Sequence, residues 1–459
     1  MALRHQKEQK ILAAVSRRIR ELRHGEDLRA ELMRGGIGSV LVKAGNVGLM
    51  FLASLLLARV LGPDGYGRYA FAFTVASLLT IPAQAGLVPL CVRETAKAAS
   101  RRRWGVLRGL LGWSTRNALV IACAVGASAG VGLWLSAPWI DEHRLATLKI
   151  ALALIPLMAL TLVWGGVLRG LGFVVAGQVP YMILCPTVLI FLIGCWVGVT
   201  GGAIAAPAAI GLYVAALGVA LTALSWMLWR WALPYFRDTP ADYSWVPDWW
   251  RAAIPFVFVG GLHFINVQTD ILMLGMLQSD RDVGLYRVSV QMSTLIVFGL
   301  QAANQVVAPQ VGRLAEQKDY RRMQALATGA ARAVSCLAII PAMLFIAFGA
   351  PLLAVVFGAA YESSATPLAI LAIGQLLNAL TGSGSVFLNM TGHEHDTMLI
   401  TGSAAVSNVV LNLMLIPLYA GVGAAVATTT TLGISNVLLA LTVYRRIGVI
   451  SSVFSFGKH

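Results

Sequence analysis

The sequence has 459 residues, of which 58% are hydrophobic and only 12% are charged, and its mean hydropathy is +0.76. Soluble domains carry roughly 25% charged residues, so this composition excludes an ordinary soluble protein and predicts an all-α integral membrane protein. A formal charge of +15 is also typical of nucleic-acid-binding proteins. Here, however, the basic residues lie in turns between apolar segments and are not interleaved with aromatic residues for base stacking. We therefore expect anionic lipid headgroups, and no nucleic acid, as partners.

Apolar segments of about 20 residues or more recur along the chain, and this is the length that a helix needs to cross ~30 Å of hydrocarbon. The first two segments are separated by the short turn Gly62-Pro63-Asp64-Gly65, which predicts a hairpin at the membrane surface. An even number of spans places both termini on one side of the membrane. The twelve predicted transmembrane helices cover residues 36–61, 67–92, 106–136, 147–168, 173–199, 203–229, 252–277, 284–310, 327–357, 364–389, 396–419 and 421–444.

The distribution of lysine and arginine predicts the orientation. The two termini and the turns on their side hold 26 of the 35 basic residues, whereas the opposite loops and helix ends hold six. By the positive-inside rule both termini are cytoplasmic. Residues 1–35 have apolar residues at helical spacing among arginines, which predicts a basic amphipathic segment on the inner membrane surface; a solvated basic tail is the alternative. Residues 445–459 form a cytoplasmic tail.

The two halves of the chain share short patterns. Gly67-Arg68-Tyr69 recurs as Gly284-Leu285-Tyr286, and Arg169 to Gly172 aligns with Asn389 to Gly392 at nearly the same offset. Six spans per half keep the halves in the same orientation, so we predict two parallel six-helix halves around a central cavity. In secondary transporters such repeats enclose a substrate site near the midplane. The predicted domains are the halves at 36–229 and 252–444, which are joined by a cytoplasmic linker at 230–251.

Three motifs resemble those of a known family. The segment "LARVLGPDGYG" (Leu57 to Gly67) resembles the L-A-R-x-L-G-P-x-x-Y-G hairpin of Wzx-type polysaccharide flippases in the multidrug/oligosaccharidyl-lipid/polysaccharide exporter superfamily. "AGLVPLCVRETAK" (Ala85 to Lys97) and "LRGLG" (Leu168 to Gly172) are similar to that family's second-helix exit and to its turn between the fourth and fifth spans. The resemblance covers nearly the whole chain.

The resemblance implies a non-enzymatic transporter. Its function would be alternating-access translocation of an undecaprenyl-diphosphate-linked oligosaccharide from the inner to the outer leaflet of the bacterial cytoplasmic membrane. That activity serves the synthesis of cell-surface polysaccharide, such as exopolysaccharide or O-antigen. Membrane lipids and a polysaccharide polymerase or export machinery are the expected partners.

Three basic residues lie inside predicted spans, where ionisable residues are costly and usually functional. Lys43 lies roughly 10 Å and Arg116 roughly 15 Å from the cytoplasmic end of its helix, and Arg332 lies nearer the surface. A diphosphate that crosses hydrocarbon needs such cations, so we predict that these three residues bind the headgroup. The alternative is that the side chains snorkel to lipid headgroups.

Amide side chains follow helical spacing in the eighth and tenth spans. Because amides hydrogen bond to sugar hydroxyls, we predict that these stripes line the cavity; hydrogen bonding between helices is the alternative. The predicted lining residues are Asn46, Arg287, Gln291, Gln301, Gln305, Gln375 and Asn378.

The seventh span carries His263 and Asp270 on one helical face. Carboxylate and imidazole groups both exchange protons, so we predict coupling to a proton or sodium gradient there, with a purely structural pair as the alternative. We expect no cofactor and no metal site, because the five cysteines form no pair with metal-ligand spacing.

Two other classes of protein were weighed. A proton- or sodium-coupled drug antiporter of the same superfamily shares the fold, but three cations against one carboxylate in the spans favour an anionic substrate. A membrane glycosyltransferase or polymerase is less favoured, because the largest outer loop, residues 137–146, is only about ten residues long. The triplet Asp280-Arg281-Asp282 resembles a metal-diphosphate motif, but it lies in a short hairpin and indicates a solvated turn.

Overall fold

The computed structural model describes residues 25–202, 204–232, 234 and 239–453, without the side chains of residues 25–37, 258–259 and 262–266. Most of the predicted amphipathic segment, residues 1–24, lies outside the described residues. So do part of the predicted linker and the last six residues of the predicted tail.

The described part of the chain is almost entirely helical and contains no β-strand, which confirms the all-α fold class. Short 3₁₀ or π turns at Ala137–Trp139, Pro180–Leu184 and Ala359–Ser364 join some of the helices. The α-helices are α1 Gly25–Gln84, α2 Leu87–Ser100, α3 Trp104–Ser136, α4 Glu142–Ala151, α5 Leu154–Gly170, α6 Cys185–Thr200, α7 Ala206–Trp231, α8 Val246–Leu277, α9 Asp280–Glu316, α10 Tyr320–Phe357, α11 Ala365–Thr381, α12 Gly384–Met390 and α13 Glu394–Ile447.

Helix α1 contains a chain reversal at Gly62, where φ is 67° and ψ is 176°. The hydroxyl groups of Ser54 and Tyr66 are 2.6 Å apart, although a straight helix would place their backbones ~18 Å apart. Glycine adopts a positive φ without a Cβ penalty, so the turn reverses the chain here. The predicted hairpin is present.

Helix α13 is divided in the same way at Ala420, whose φ is 45°. Asn408 Nδ2 donates to Thr431 Oγ1 at 3.4 Å, and 23 residues of straight helix would separate these groups by ~34 Å. The two segments of α13 are therefore antiparallel neighbours.

Nine helical stretches in the described part of the chain are long and apolar enough to cross a membrane. Dividing α1 and α13 at their reversals makes eleven, and α8, with 32 residues, supplies a twelfth. The helix count agrees with the prediction, but the helix ends do not all agree. For example, α9 begins at Asp280 instead of 284, because the Ser279 side chain accepts a hydrogen bond from the Asp282 amide and caps the helix there.

Three predicted spans contain a break. Residues 364–389 are divided into α11 and α12 by Gly382, whose φ is 73°, and a Cβ at Gly382 would lie 2.3 Å from the carbonyl oxygen of Ser451. Similar breaks separate α1 from α2 near Gly86 and α4 from α5 near Ala153. Hydropathy does not distinguish a broken helix from a continuous one, so these breaks were not predicted.

The two turns that share the Gly-x-Tyr pattern contact each other. A Cβ at Gly67 would lie 1.6 Å from the carbonyl oxygen of Asp280, and a Cβ at Gly284 would lie 2.0 Å from that of Pro63. Only glycine allows this backbone-to-backbone approach. We call this end of the helical bundle the hairpin end, and the opposite end, with the turns at 101–103 and 318–319, the terminal end.

The segment before α8 packs on the start of α3 at the terminal end. The Asp242 amide donates to the carbonyl of Gly105 at 2.9 Å, and a Cβ at Gly109 would lie 2.1 Å from the carbonyl oxygen of Asp242. The aromatic rings of Trp113 and Trp249 are 5.2 Å apart in the apolar core beneath this contact. The predicted boundaries of the halves and of the linker stay a prediction.

We predict that Gly284→Ala lowers the melting temperature of the protein in detergent, because the added methyl group meets the Pro63 carbonyl. Overpacking of this kind destabilises by about 1–3 kcal/mol. Gly218→Ala is the matched control, since a Cβ at Gly218 meets no atom within 4 Å. Equal melting temperatures for the two variants would contradict the close backbone contact.

Candidate functional site

Three arginines of the first six helices bind the other half of the chain at the hairpin end. Arg59 Nε donates to the carbonyl of Val356 at 2.6 Å. Arg68 Nε lies 2.9 Å and Arg144 Nε 3.6 Å from the carboxylate of Asp280. The carboxylate side chain is only 13% exposed, so two guanidinium groups share one largely buried anion.

Neutral contacts close the same end. The Tyr361 hydroxyl donates to the carbonyl of Ala58 at 2.8 Å, and the guanidinium of Arg144 lies 4.2 Å above the ring of Phe71. Arg144 also donates to the carbonyl of Gly275. The two groups of helices are therefore joined at the hairpin end in this conformation.

A polar stripe runs along one face of α9. Gln301 and Gln305 are exposed, Gln291 is partly exposed, and Thr294 and Phe298 lie between them with exposed side chains. These positions repeat at helical spacing, so the exposed face is continuous over several turns. The sequence prediction placed these amides on one face, and the structure places them where a ligand can reach them.

Arg287 lies at the hairpin-end limit of this stripe and is partly buried. Its guanidinium interacts electrostatically with Tyr69, which belongs to the second segment of α1. The stripe therefore begins where α9 meets the other half of the chain.

Two of the predicted lining groups are engaged in hydrogen bonds between helices. Asn46 Nδ2 donates to the carbonyl of Met182 at 2.6 Å. Asn378 Oδ1 accepts from Asn436 at 3.0 Å, and Asn378 Nδ2 donates weakly to Gln375 at 3.4 Å. These contacts stabilise the packing of helices within each half, as the alternative interpretation of the amides expected.

The three predicted headgroup cations do not form one cluster. Lys43 and Arg332 are exposed on α1 and α10. Arg116 lies in a groove whose described lining residues all come from α3, α5 and α7. Neither Lys43 nor Arg332 lines that groove.

Asp270 lies at the centre of a hydrogen-bond network within the second half. Its Oδ2 accepts from the Tyr286 hydroxyl at 2.8 Å and from Thr428 Oγ1, and its Oδ1 accepts from Asn412 Nδ2 at 2.7 Å. Asn412 also donates to Asn408 Oδ1 at 2.9 Å. The network thus joins α8, α9 and both segments of α13.

All the hydrogen-bond donors that the structure gives to Asp270 are neutral. The Asn412 Oδ1 atom beside it is buried and has no hydrogen-bond partner among the described residues. A charged carboxylate in an apolar interior is costly unless it is protonated or paired with a cation, and carboxylate and amide oxygens are the ligands that hard cations prefer. This arrangement therefore fits either a proton or a small hard cation.

The side chain of His263, the second predicted coupling residue, lies outside the described residues. The sequence prediction found Asp270 but missed its partners Tyr286, Asn412 and Thr428. A signal for the last two was present, because Asn408 and Asn412 are one helical turn apart in an apolar span and a run of four threonines begins at Thr428.

Solved structures with the same fold are transporters of the MOP superfamily. An inward-facing multidrug resistance MATE family transporter superposes with a TM-score of 0.74 at 15% identity, covering 89% of this chain and 98% of that one. The lipid II flippase MurJ, in an inward closed conformation, gives a TM-score of 0.70 at 12% identity and covers 90% of both chains. A MOP superfamily transporter from Pyrococcus furiosus gives 0.60 at 13% identity, covering 94% of this chain and 98% of that one. The fold thus defines a multi-pass membrane transporter of this superfamily.

Residues 56–366 match the family described as "Polysaccharide biosynthesis protein". This match covers more than half of the chain, and the protein belongs to that family. A curated relative, the probable low-salt glycan biosynthesis flippase Agl15 of Haloferax volcanii, is 26% identical over 173 residues. That alignment spans 37% of this chain and 36% of the relative.

We predict that Asp280→Asn separates the two groups of helices at the hairpin end, because it removes the carboxylate that Arg68 and Arg144 share. A hydrogen bond to a charged group contributes about 1.5–3 kcal/mol, which corresponds to a roughly ten- to hundredfold change in the open-to-closed ratio. Spin labels at Trp139→Cys and Leu418→Cys, both exposed at this end, in a background without the native cysteines, would show a larger long-distance component.

The matched control for this measurement is Asp396→Asn. It removes an ion pair with Arg446 that lies within α13, with an N–O distance of 2.9 Å. An unchanged distance distribution in Asp280→Asn, or the same change in both variants, would show that Asp280 does not hold the hairpin end closed.

Proposed function

We propose that this protein carries an undecaprenyl-diphosphate-linked oligosaccharide from the inner to the outer leaflet of the bacterial cytoplasmic membrane, for cell-surface polysaccharide synthesis. The single observation that carries the proposal is the accessible amide stripe of α9. Membership of the polysaccharide biosynthesis family supports it, as does the partial likeness to a probable glycan biosynthesis flippase. Amides satisfy sugar hydroxyls that would otherwise lose their hydrogen bonds on leaving water.

The diphosphate requires cations close to this stripe. Arg287 lies at one end of it, and the exposed Lys43 and Arg332 are further candidates on α1 and α10. The lipid tail stays in the bilayer while the headgroup crosses along the polar surface. In this scheme the protein needs no cofactor.

Alternating access supplies the movement. The basic loops favour a cytoplasmic terminal end, so the conformation with a closed hairpin end would receive substrate from the inner leaflet. Release on the other side requires the contacts of Arg59, Arg68 and Arg144 to break. Parallel repeats that rock against one another about a substrate site are the usual device for such a change.

We also propose that the Asp270 network couples transport to a proton or sodium gradient. Binding of a proton or cation neutralises the carboxylate and changes its hydrogen bonds to α9 and α13. Because α9 carries the amide stripe, a change in its packing reaches the substrate surface directly.

A drug or small-molecule antiporter is the second candidate, and the similarity to a multidrug resistance transporter favours it. The placement of charge favours the first candidate. The one carboxylate predicted deep in a span, Asp270, is engaged in the network between helices, whereas cationic Lys43 is exposed. An accessible cation suits an anionic headgroup better than a cationic drug.

We predict that Gln301→Leu combined with Gln305→Leu reduces flipping of a labelled undecaprenyl-diphosphate-oligosaccharide in proteoliposomes by about tenfold. Each lost hydrogen bond removes roughly 0.5–1.5 kcal/mol of stabilisation from the crossing headgroup. Gln317→Leu, at the exposed end of α9 and outside the stripe, is the control. If the native protein moves no lipid-linked glycan and exports drugs instead, the antiporter is the correct assignment.

We predict that sodium or proton binding raises the melting temperature of the purified protein and that Asp270→Asn abolishes this effect. A ligand at 100 times its dissociation constant stabilises by about 2.7 kcal/mol. Melting would be measured across pH and with sodium against equimolar potassium, with Asp396→Asn as the control. If neither ion affects the native protein more than Asp270→Asn, the carboxylate has only a structural role.

A further inference from the structure

A groove outside the α9 stripe lies between α3, α5 and α7 and has a volume of about 760 Å³. Its walls are largely apolar and include the exposed ring of Trp229. Gly112 forms part of the floor, where its missing side chain leaves room between the helices. Trp164 is held at one wall by a hydrogen bond from its Nε1 to Thr115 Oγ1 at 2.9 Å.

Two arginines line this apolar groove. Arg108 and Arg116 both have exposed side chains, and none of the described lining residues is acidic. Arg108 also donates through Nη1 to the carbonyl of Thr239 at 2.8 Å. This contact places the guanidinium beside the segment that precedes α8.

The position of the groove in the membrane follows from its helices. Arg108 is near the start of α3 and Trp229 is near the end of α7, so the groove opens at the terminal end. Arg116 is eight residues further along α3, or ~12 Å deeper at 1.5 Å per residue. The distribution of basic residues predicts that this end faces the cytoplasmic leaflet. The groove is thus located where headgroups meet hydrocarbon.

We propose that this groove binds an anionic phospholipid of the adjoining leaflet. Its phosphate contacts the guanidinium groups of Arg108 and Arg116, because the planar guanidinium forms paired hydrogen bonds to phosphate oxygens. Its acyl chains lie against Leu119, Val120 and Trp229. Basic pockets between transmembrane helices on this side of a membrane recognise such headgroups.

The chemistry of the walls distinguishes this occupant from the glycan substrate. The groove contains none of the carboxamide side chains that form the stripe of α9, so it offers little to a row of sugar hydroxyls. Its apolar walls equally offer little to free inorganic phosphate beyond the two cations. A headgroup with attached acyl chains uses both the charge and the apolar area. The proposal is independent of the proposed transport activity, since it concerns a bound lipid.

The test is native mass spectrometry of the full-length protein in detergent with equal amounts of phosphatidylglycerol and phosphatidylcholine. We expect the native protein to retain phosphatidylglycerol about tenfold more than phosphatidylcholine, since each basic residue near a lipid surface contributes appreciably to binding of anionic lipid. Arg108→Gln combined with Arg116→Gln should bring this ratio close to one. Arg230→Gln is the matched control, because it removes the same charge from the end of α7 outside the groove.

Two further arms keep the result interpretable. Arg116→Lys keeps the charge and should keep part of the preference, which guards against a double variant that fails to fold. Added inorganic phosphate should not displace the lipid, and displacement would assign the groove to a free anion. Equal retention of the two lipids by the native protein, or an unchanged preference in the double variant, would overturn the proposal.

Discussion

The structure depends on one close approach, in which the backbones of two glycine-containing turns meet at the hairpin end. A side chain at Gly67 or Gly284 would occupy the position of a carbonyl oxygen of the other turn. The missing side chains bring Arg68 to the carboxylate of Asp280, and Arg144 reaches the same carboxylate from α4. A small contact area combined with charge pairs suits an interface that must break and re-form, because little apolar surface is exposed when it opens.

The polar side chains inside the helical bundle have two different roles, which hydrogen bonding separates. Asn46, Asn378 and Asp270 have partners on neighbouring helices, and they stabilise helix packing or form an ion site. Gln301 and Gln305 are exposed on a continuous face of α9. Because nearly all buried polar groups find partners within the protein, the accessible amides are the ones available to a ligand. This separation links the fold to the proposed transport of a hydroxyl-rich headgroup.

Much of the fold was predictable, because its signals are local. The length of the apolar segments predicted the helices, and the turn from Gly62 to Gly65 predicted the first hairpin. The breaks near Gly86 and Gly382 were not predictable, since they depend on backbone contacts with distant segments such as the one at Ser451. The partners of Asp270 were missed for the same reason: Asn412 and Thr428 are 142 and 158 residues away in the chain.

The sequence by itself determined that this is a helical membrane protein with twelve spans, and it indicated the family through the first hairpin. Hydrophobicity and turn chemistry act over a few residues, so one chain is sufficient to recognise them. Only the tertiary structure decided which way each polar side chain faces. Arg116 shows the difference, since its depth in the span suggested the central cavity but its helix presents it to a separate groove with Arg108. The direction of a side chain depends on which helices pack around it, and that packing arises from contacts between residues far apart in the sequence.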